Sequence, residues 1–66
     1  MTFAEKVKRL RKLLGDISQA ALSKLSGIPQ SNIACWETGI SECREKSLLK
    51  LEKLCAKKGI KINWRK

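Results

Sequence analysis

The chain lacks histidine and tyrosine, and its 66 residues include one proline and six acidic side chains against 15 lysines and arginines. A zinc finger needs four cysteine or histidine ligands, of which this chain has only three, and many catalytic sites need an imidazole, so these kinds of site are excluded. The sequence also has no glycine loop of the phosphate-binding type and no close carboxylate pair apart from surface glutamates. We therefore expect no metal, no cofactor and no enzymatic activity.

The cysteines are few and odd in number: Cys35, Cys43 and Cys55. A disulfide framework needs an even set, and the thiols of a cytosolic protein are kept reduced. We predict that these cysteines pack as small apolar side chains. A redox switch stays open as the alternative.

Long apolar runs are absent as well. The longest is too short to span a bilayer, and the N-terminal stretch MTFAEKVKRL lacks the apolar core and the cleavage site of a secretory signal. The sequence therefore predicts a cytoplasmic protein with no membrane segment.

What the chain has in excess is positive charge, with a net charge of +9. Such a charge points to an anionic partner, either nucleic acid or an acidic membrane surface, and does not choose between them. The hydrophobic content of 42% is sufficient for one small core. We expect residues 1–66 to form a single folded domain.

Glycines at four positions each follow a stretch with helical character, which predicts four helices. In the first, an apolar stripe recurs at i, i+4, i+7 and i+11, and basic residues occupy the far side. Ser18 is the expected N-cap of the second helix, where Leu22 and Leu25 are predicted to share a face with Ala21. The stripe of the first helix consists of Phe3, Val7, Leu10 and Leu14.

Pro29 is suited to the start of a third helix, which is predicted to turn Ile33, Trp36 and Glu37 inward. The stretch ISECREK lacks periodicity and predicts a loop. A fourth helix is expected from Leu48 to about Lys58. Its predicted outer face carries Lys46, Lys50, Lys53 and Lys57.

The tail at 60–66 changes period, because Ile60, Ile62 and Trp64 alternate with polar residues as in a half-buried strand. A single strand is not stable in water. Three alternatives follow: the tail packs on its own domain, it pairs with a second copy, or it is loosely ordered. If it pairs, deletion of 60–66 should leave a folded monomer.

Two short helices joined by a glycine-containing turn, at about 19–38, have the spacing of a helix-turn-helix. Together with SLLKLEKL, the stretch LRKLLGDISQAALSKLSGIPQSNIACWETG resembles the Cro and phage-repressor type, the XRE-like regulators, over about residues 3–55. The resemblance implies an all-α, compact four- to five-helix bundle of the lambda-repressor-like type, with the tail strand as an addition. It also implies binding to double-stranded operator DNA as a homodimer.

The resemblance further implies roles for individual residues. Glu37 matches an acidic position that pairs with a basic residue of the first helix, here Arg11 or Lys12. The positions that match base-reading residues are Gln30, Ser31, Ala34 and Cys35. The residues expected at the DNA backbone are Gln19, Asn32, Arg11, Lys12, Arg44 and Lys46.

Two departures from the family pattern change these expectations. Pro29 stands where serine or threonine is usual, and the turn GISEC replaces a loop rich in lysine and arginine, so Arg44 and Lys46 would substitute there. We expect a sequence-specific DNA-binding regulator, a small repressor with no small-molecule ligand, that dimerises through Ile60, Ile62 and Trp64. The alternative is a basic helical module that binds a protein or RNA.

Overall fold

Four helices make up the computed structural model, which describes residues 2–39 and 45–65. The described residues contain no strand, so the all-α prediction is confirmed. Helix α1 packs against α3, and α2 packs against both α3 and α4. The helices are α1 (Phe3–Leu13), α2 (Gln19–Ser26), α3 (Gln30–Thr38) and α4 (Glu45–Lys58).

Helix α1 begins with a reciprocal cap between Thr2 and Glu5. The backbone N–H of Thr2 donates to Oε1 of Glu5 at 2.9 Å, and the N–H of Glu5 donates to the Thr2 hydroxyl at 3.2 Å. The first of these bonds, followed by an interaction of the carboxylate with the Thr2 side chain, lowers the pKa of Glu5. Val7 and Leu10 are completely buried, which confirms the apolar stripe of this helix.

The two middle helices begin and end as the sequence predicts. The Ser18 hydroxyl accepts the N–H of Ala21 at 3.1 Å and caps α2. Gly27 ends α2 with a φ of 74°, a left-handed conformation that is unfavourable for residues with a side chain. Pro29 then occupies the N-cap position of α3 and makes no side-chain cap. The connection between α2 and α3 is therefore a short, tightly defined turn.

One face of α2 differs from the prediction, because Leu25 is 48% exposed whereas Leu22 is completely buried. The inward side of the helix is shifted toward Ser23 and Ser26, whose hydroxyls donate to the carbonyl oxygens of Ile28 and Leu22. The bond from Ser23 joins α2 to the turn, whereas this bond from Ser26 lies within the helix. Leu25 is left at the solvent edge, so the prediction that it shares a face with Leu22 is wrong.

Helix α4 begins at Glu45, three positions before the predicted start at Leu48. Glu45 and Lys46, predicted in a loop, form its first turn, where a carboxylate interacts favourably with the positive end of the helix dipole. Residues 40–44 of the predicted loop, including Cys43 and Arg44, lie outside the described residues. The helix ends at Lys58, as predicted.

The tail does not form the strand that its alternating pattern predicts. After Gly59, which has a φ of 70°, the N–H of Ile60 donates to the carbonyl of Cys55 at 2.8 Å and turns the chain back along α4. Trp64 is 7% exposed and lies in the core, with Ile60 and Ile62 packed against it. The alternation of apolar and polar residues in the tail reflects burial of the Trp64 indole, and not hydrogen bonding to a neighbouring strand. The tail packs on its own domain, the first of the three alternatives.

The core joins residues from the start of the chain to the tail. The ring of Phe3 lies edge-on to Trp36 at a centroid distance of 5.4 Å and to Trp64 at 5.8 Å. These three aromatic rings connect α1, α3 and the tail. The buried apolar residues are Val7, Leu10, Leu22, Ile28, Ile33, Trp36, Leu51, Leu54, Cys55 and Trp64.

Candidate nucleic-acid interface

The turn between α2 and α3 is fixed by side-chain hydrogen bonds. The Ser23 hydroxyl donates to the carbonyl of Ile28, and the N–H of Ile28 donates to the Ser26 hydroxyl at 3.3 Å. Ile28 itself is 1% exposed and anchors the turn in the core. These polar and apolar contacts together fix the angle between α2 and α3.

Helix α3 has one buried face and one open face. Ile33, Trp36 and Glu37 point into the protein, as predicted. Gln30 and Ser31 are exposed at its first turn. Positions separated by three and four residues share a helix face, so Ala34 and Cys35, both half-buried, continue the surface that Gln30 and Ser31 begin. The structure thus places the four predicted base-reading residues together.

The buried carboxylate of Glu37 is held by one residue from α1 and one from α2. Arg11 donates from Nε to Oε2 and from Nη2 to Oε1, each at 2.7 Å. Its Nη1 donates to the carbonyl of Ile17 at 3.2 Å, and the Gln19 amide donates to Oε1 of Glu37 at 3.1 Å. Of the two predicted partners for Glu37, Arg11 is the one found. We call Arg11, Gln19 and Glu37 the carboxylate clamp.

The clamp fixes α3 relative to α1 and α2. A bidentate pair between a guanidinium and a carboxylate has a defined geometry, and here the Glu37 side chain is only 5% exposed. The Arg11 side chain is 25% exposed, so part of it lies at the surface. The carboxylate lies about two turns along α3 from Gln30, in the buried C-terminal part of the helix, so the clamp orients the open face without occupying it.

The predicted backbone-contacting residues fall into three groups. Lys12, Asn32 and Lys46 are exposed. Arg11 and Gln19 are half-buried members of the carboxylate clamp. Arg44 lies outside the described residues. Their contacts with DNA stay a prediction.

Two cysteines are described, and they differ in environment. Cys35 is half-buried on α3, and Cys55 is buried in the core. Burial raises the pKa of the Cys55 thiol, opposed by the hydrogen bond that the Trp64 indole N–H donates to Sγ at 3.4 Å. Within residues 2–39 and 45–65, no cluster of cysteine, aspartate or glutamate is suited to hold a metal ion.

Two polar contacts were not predicted from the sequence. Lys50 Nζ donates to the carbonyl of Gly27 at 3.4 Å, which joins α4 to the turn between α2 and α3. Arg65 donates two hydrogen bonds to Glu52 and one to Glu45, each at 3.0 Å, and the bonds to Glu52, followed by the bond to Glu45, raise its pKa. Both contacts join residues far apart in sequence, so no local pattern predicts them. For Lys50, the spacing of the lysines in α4 predicts only that the side chain lies on the outer face.

Together, the rigid turn and the open face of α3 define a helix-turn-helix protein. Residues 7–61 match the helix-turn-helix family model. The chain belongs to this family, the XRE-type helix-turn-helix proteins, and the family is one of DNA-binding regulators. No curated protein and no solved structure matches the chain. Among the described helices, none has both the length and the apolar character needed to cross a bilayer.

Proposed function

We propose that this protein is a sequence-specific repressor that inserts α3 into the major groove of operator DNA. The observation that carries the proposal is the division of α3 into an anchored face and an open face. The open face presents Gln30 and Ser31 at the N-terminal turn, the part of a recognition helix that contacts base edges. The carboxylate clamp and the buried indole of Trp36 hold the anchored face.

The chemistry of the open face suits base reading. Gln30 offers one donor and one acceptor, which match N7 and N6 of adenine, and Ser31 can serve several bases. The half-buried Ala34 and Cys35 offer small, weakly polar surfaces that suit a thymine methyl group. None of the four is charged, so none binds phosphates along the whole duplex equally well. This composition favours discrimination among sequences.

The phosphate backbone is assigned to the polar and basic residues around this face. Lys12 of α1 and Asn32 of α3 are exposed, and the Arg11 side chain is 25% exposed. A net charge of +9 supplies a long-range attraction that weakens as salt rises. The residues proposed to contact the backbone are Gln19, Asn32, Arg11, Lys12, Arg44 and Lys46.

We further propose that the protein binds as a homodimer to two half-sites about 34 Å apart. One half-site rarely supplies a physiological affinity for a domain of this size. In the tail, Ile60 and Ile62 are half-buried and retain some exposed apolar surface, whereas Trp64 is in the core. The proposed contact therefore consists of Ile60 and Ile62, with Trp64 supporting them from within. The repressor acts in the cytoplasm by occupying its operator and needs no small-molecule ligand.

The test is a selection of bound duplexes from a random DNA pool at two salt concentrations. The proposal predicts an enriched palindrome whose half-sites contain A·T pairs. Binding without enrichment would point to a nonspecific role in DNA architecture. No binding at moderate salt would favour the alternative function, a basic helical module that binds a protein or RNA.

Gln30→Ala is expected to weaken binding to the selected operator by about 1 to 3 kcal/mol, with little change on random DNA. The reason is that alanine removes both hydrogen-bonding groups and leaves the charge of the protein unchanged. Asn63→Ala is the matched control, because it also removes an exposed amide but lies in the tail. Titrations of both variants by fluorescence anisotropy check the prediction. An equal loss on operator and random DNA would assign Gln30 to positioning instead.

A further inference from the structure

Helix α4 separates its charges on two edges. Its basic edge consists of four exposed lysines at i, i+4, i+7 and i+11, which lie within an arc of roughly 60° around the helix axis. Its acidic edge, with Glu45 and Glu52, lies on the other side of the buried face formed by Leu51 and Cys55. The lysines, called the lysine edge below, are Lys46, Lys50, Lys53 and Lys57.

Both carboxylates of the acidic edge are paired within the domain. Arg65 donates from Nη1 to Glu45 and from Nε and Nη2 to Glu52, all at 3.0 Å. These contacts hold the tail on that side of α4. The carboxylates are therefore turned away from the lysine edge. Within residues 2–39 and 45–65, none of the four lysines forms an ion pair.

The lysine edge is continuous with the helix-turn-helix. Lys50 reaches the carbonyl of Gly27 at 3.4 Å, in the turn that leads into α3. This contact places the middle of the lysine edge beside the N-terminal end of the helix that carries Gln30 and Ser31. Lys53 and Lys57 extend the same edge away from the turn by one and two helical turns.

The length of the lysine edge can be compared with that of a DNA strand. From Lys46 to Lys57 the helix rises about 16 Å, at 1.5 Å per residue. Phosphates on one strand advance about 3.4 Å along the axis of the duplex per base pair, so the edge covers roughly five phosphates. Evenly spaced, solvated ammonium groups match a row of point charges of this kind better than they match one compact anion.

We propose that Lys53 and Lys57 form a second DNA contact, which binds the phosphodiester backbone outside the half-site read by α3. The inference rests on the proposed function, because it takes the position of the duplex from α3. It assigns to the outer part of α4 a sequence-independent role: the lysine edge lengthens the DNA footprint and increases the salt dependence of binding.

The experiment compares two double variants with the same loss of charge. Lys53→Gln/Lys57→Gln removes the outer part of the lysine edge, and Lys58→Gln/Lys61→Gln removes two exposed lysines from the last turn and the tail. Each protein is titrated at several salt concentrations with a duplex limited to the selected site and with one extended by about five base pairs on each side. Thermal melts of all proteins, followed by circular dichroism, verify equal folding.

For the wild type, we expect tighter binding and a steeper salt dependence on the extended duplex. The Lys53→Gln/Lys57→Gln variant should lose this gain, with a log–log slope lower by about two on that duplex, about one for each lysine. The control variant should keep it. Equal slopes for the two variants on the extended duplex would overturn the proposal.

Failure of the proposed function gives different results. If the wild type binds every sequence equally and the slope still falls only in the Lys53→Gln/Lys57→Gln variant, the lysine edge is supported and sequence reading is refuted. If the wild type binds no duplex at moderate salt, both proposals are overturned. Operator binding with no effect of flanking length refutes the lysine edge alone.

Discussion

Trp64→Ala is expected to lower the free energy of unfolding by about 3 to 5 kcal/mol. The indole is 7% exposed, contacts Phe3 and donates its N–H to Cys55. Alanine would leave a cavity in a small domain whose total stability is expected to be only a few kcal/mol more than this loss. Urea denaturation followed by circular dichroism measures the change.

The neighbouring Asn63→Ala provides the control, since it truncates an exposed side chain of the same tail. A Trp64→Ala midpoint equal to that of Asn63→Ala would show that the indole is outside the core in solution. The same reasoning changes the expectation for deletion of 60–66. Because that deletion removes Trp64, it should unfold the domain instead of leaving the folded monomer that the strand hypothesis predicts.

Glu37→Ala is expected to destabilise the domain by about 2 to 3 kcal/mol and to weaken operator binding further than the loss of folded protein explains. The substitution removes the acceptor of two bonds from Arg11 and one from Gln19. Arg11 is 25% exposed and regains some hydration, which limits the cost. Denaturation and DNA titration at a temperature where the variant is folded separate the two effects.

Two further variants isolate the role of the carboxylate clamp. Glu45→Ala removes a glutamate that is 62% exposed and should leave the unfolding midpoint nearly unchanged. Arg11→Met/Glu37→Met replaces both charges with apolar side chains and should recover part of the stability that Glu37→Ala loses. If the double variant also recovers full operator affinity, any well-packed contact would orient α3, and the hydrogen-bond geometry would not be required.

The parts of the fold that local patterns predict correctly are those determined by neighbouring residues. Ser18 and Gly27 mark the ends of α2 because a cap and a left-handed turn are local interactions. The buried positions Val7 and Leu10 follow from helical spacing alone. The open face of α3 follows in the same way, once Ile33 and Trp36 are recognised as inward residues.

The errors occur where distant residues decide the outcome. Leu25 has the spacing of a core residue, but Ser23 and Ser26 of α2 are the residues that contact Ile28 in the turn, and Leu25 lies at the solvent edge. The alternation of Ile60, Ile62 and Trp64 with polar residues fits a strand as well as it fits a folded-back tail. The two are distinguished only by the space beside Phe3 and Cys55, which accommodates the Trp64 indole. The hydrogen bond from Gln19 to Glu37 in the carboxylate clamp is likewise a tertiary contact.

The contact between Phe3 and Trp64 also has a consequence for synthesis of the protein. The core includes side chains that are 61 positions apart in the chain, so a nascent polypeptide cannot complete it until residue 64 has left the ribosomal exit tunnel. Until then, the apolar surface that Trp64 covers stays open. We expect stable folding only after the tail has emerged, so that chains tethered to the ribosome through an added C-terminal linker should become protease-resistant only when the linker is long enough to expose Trp64.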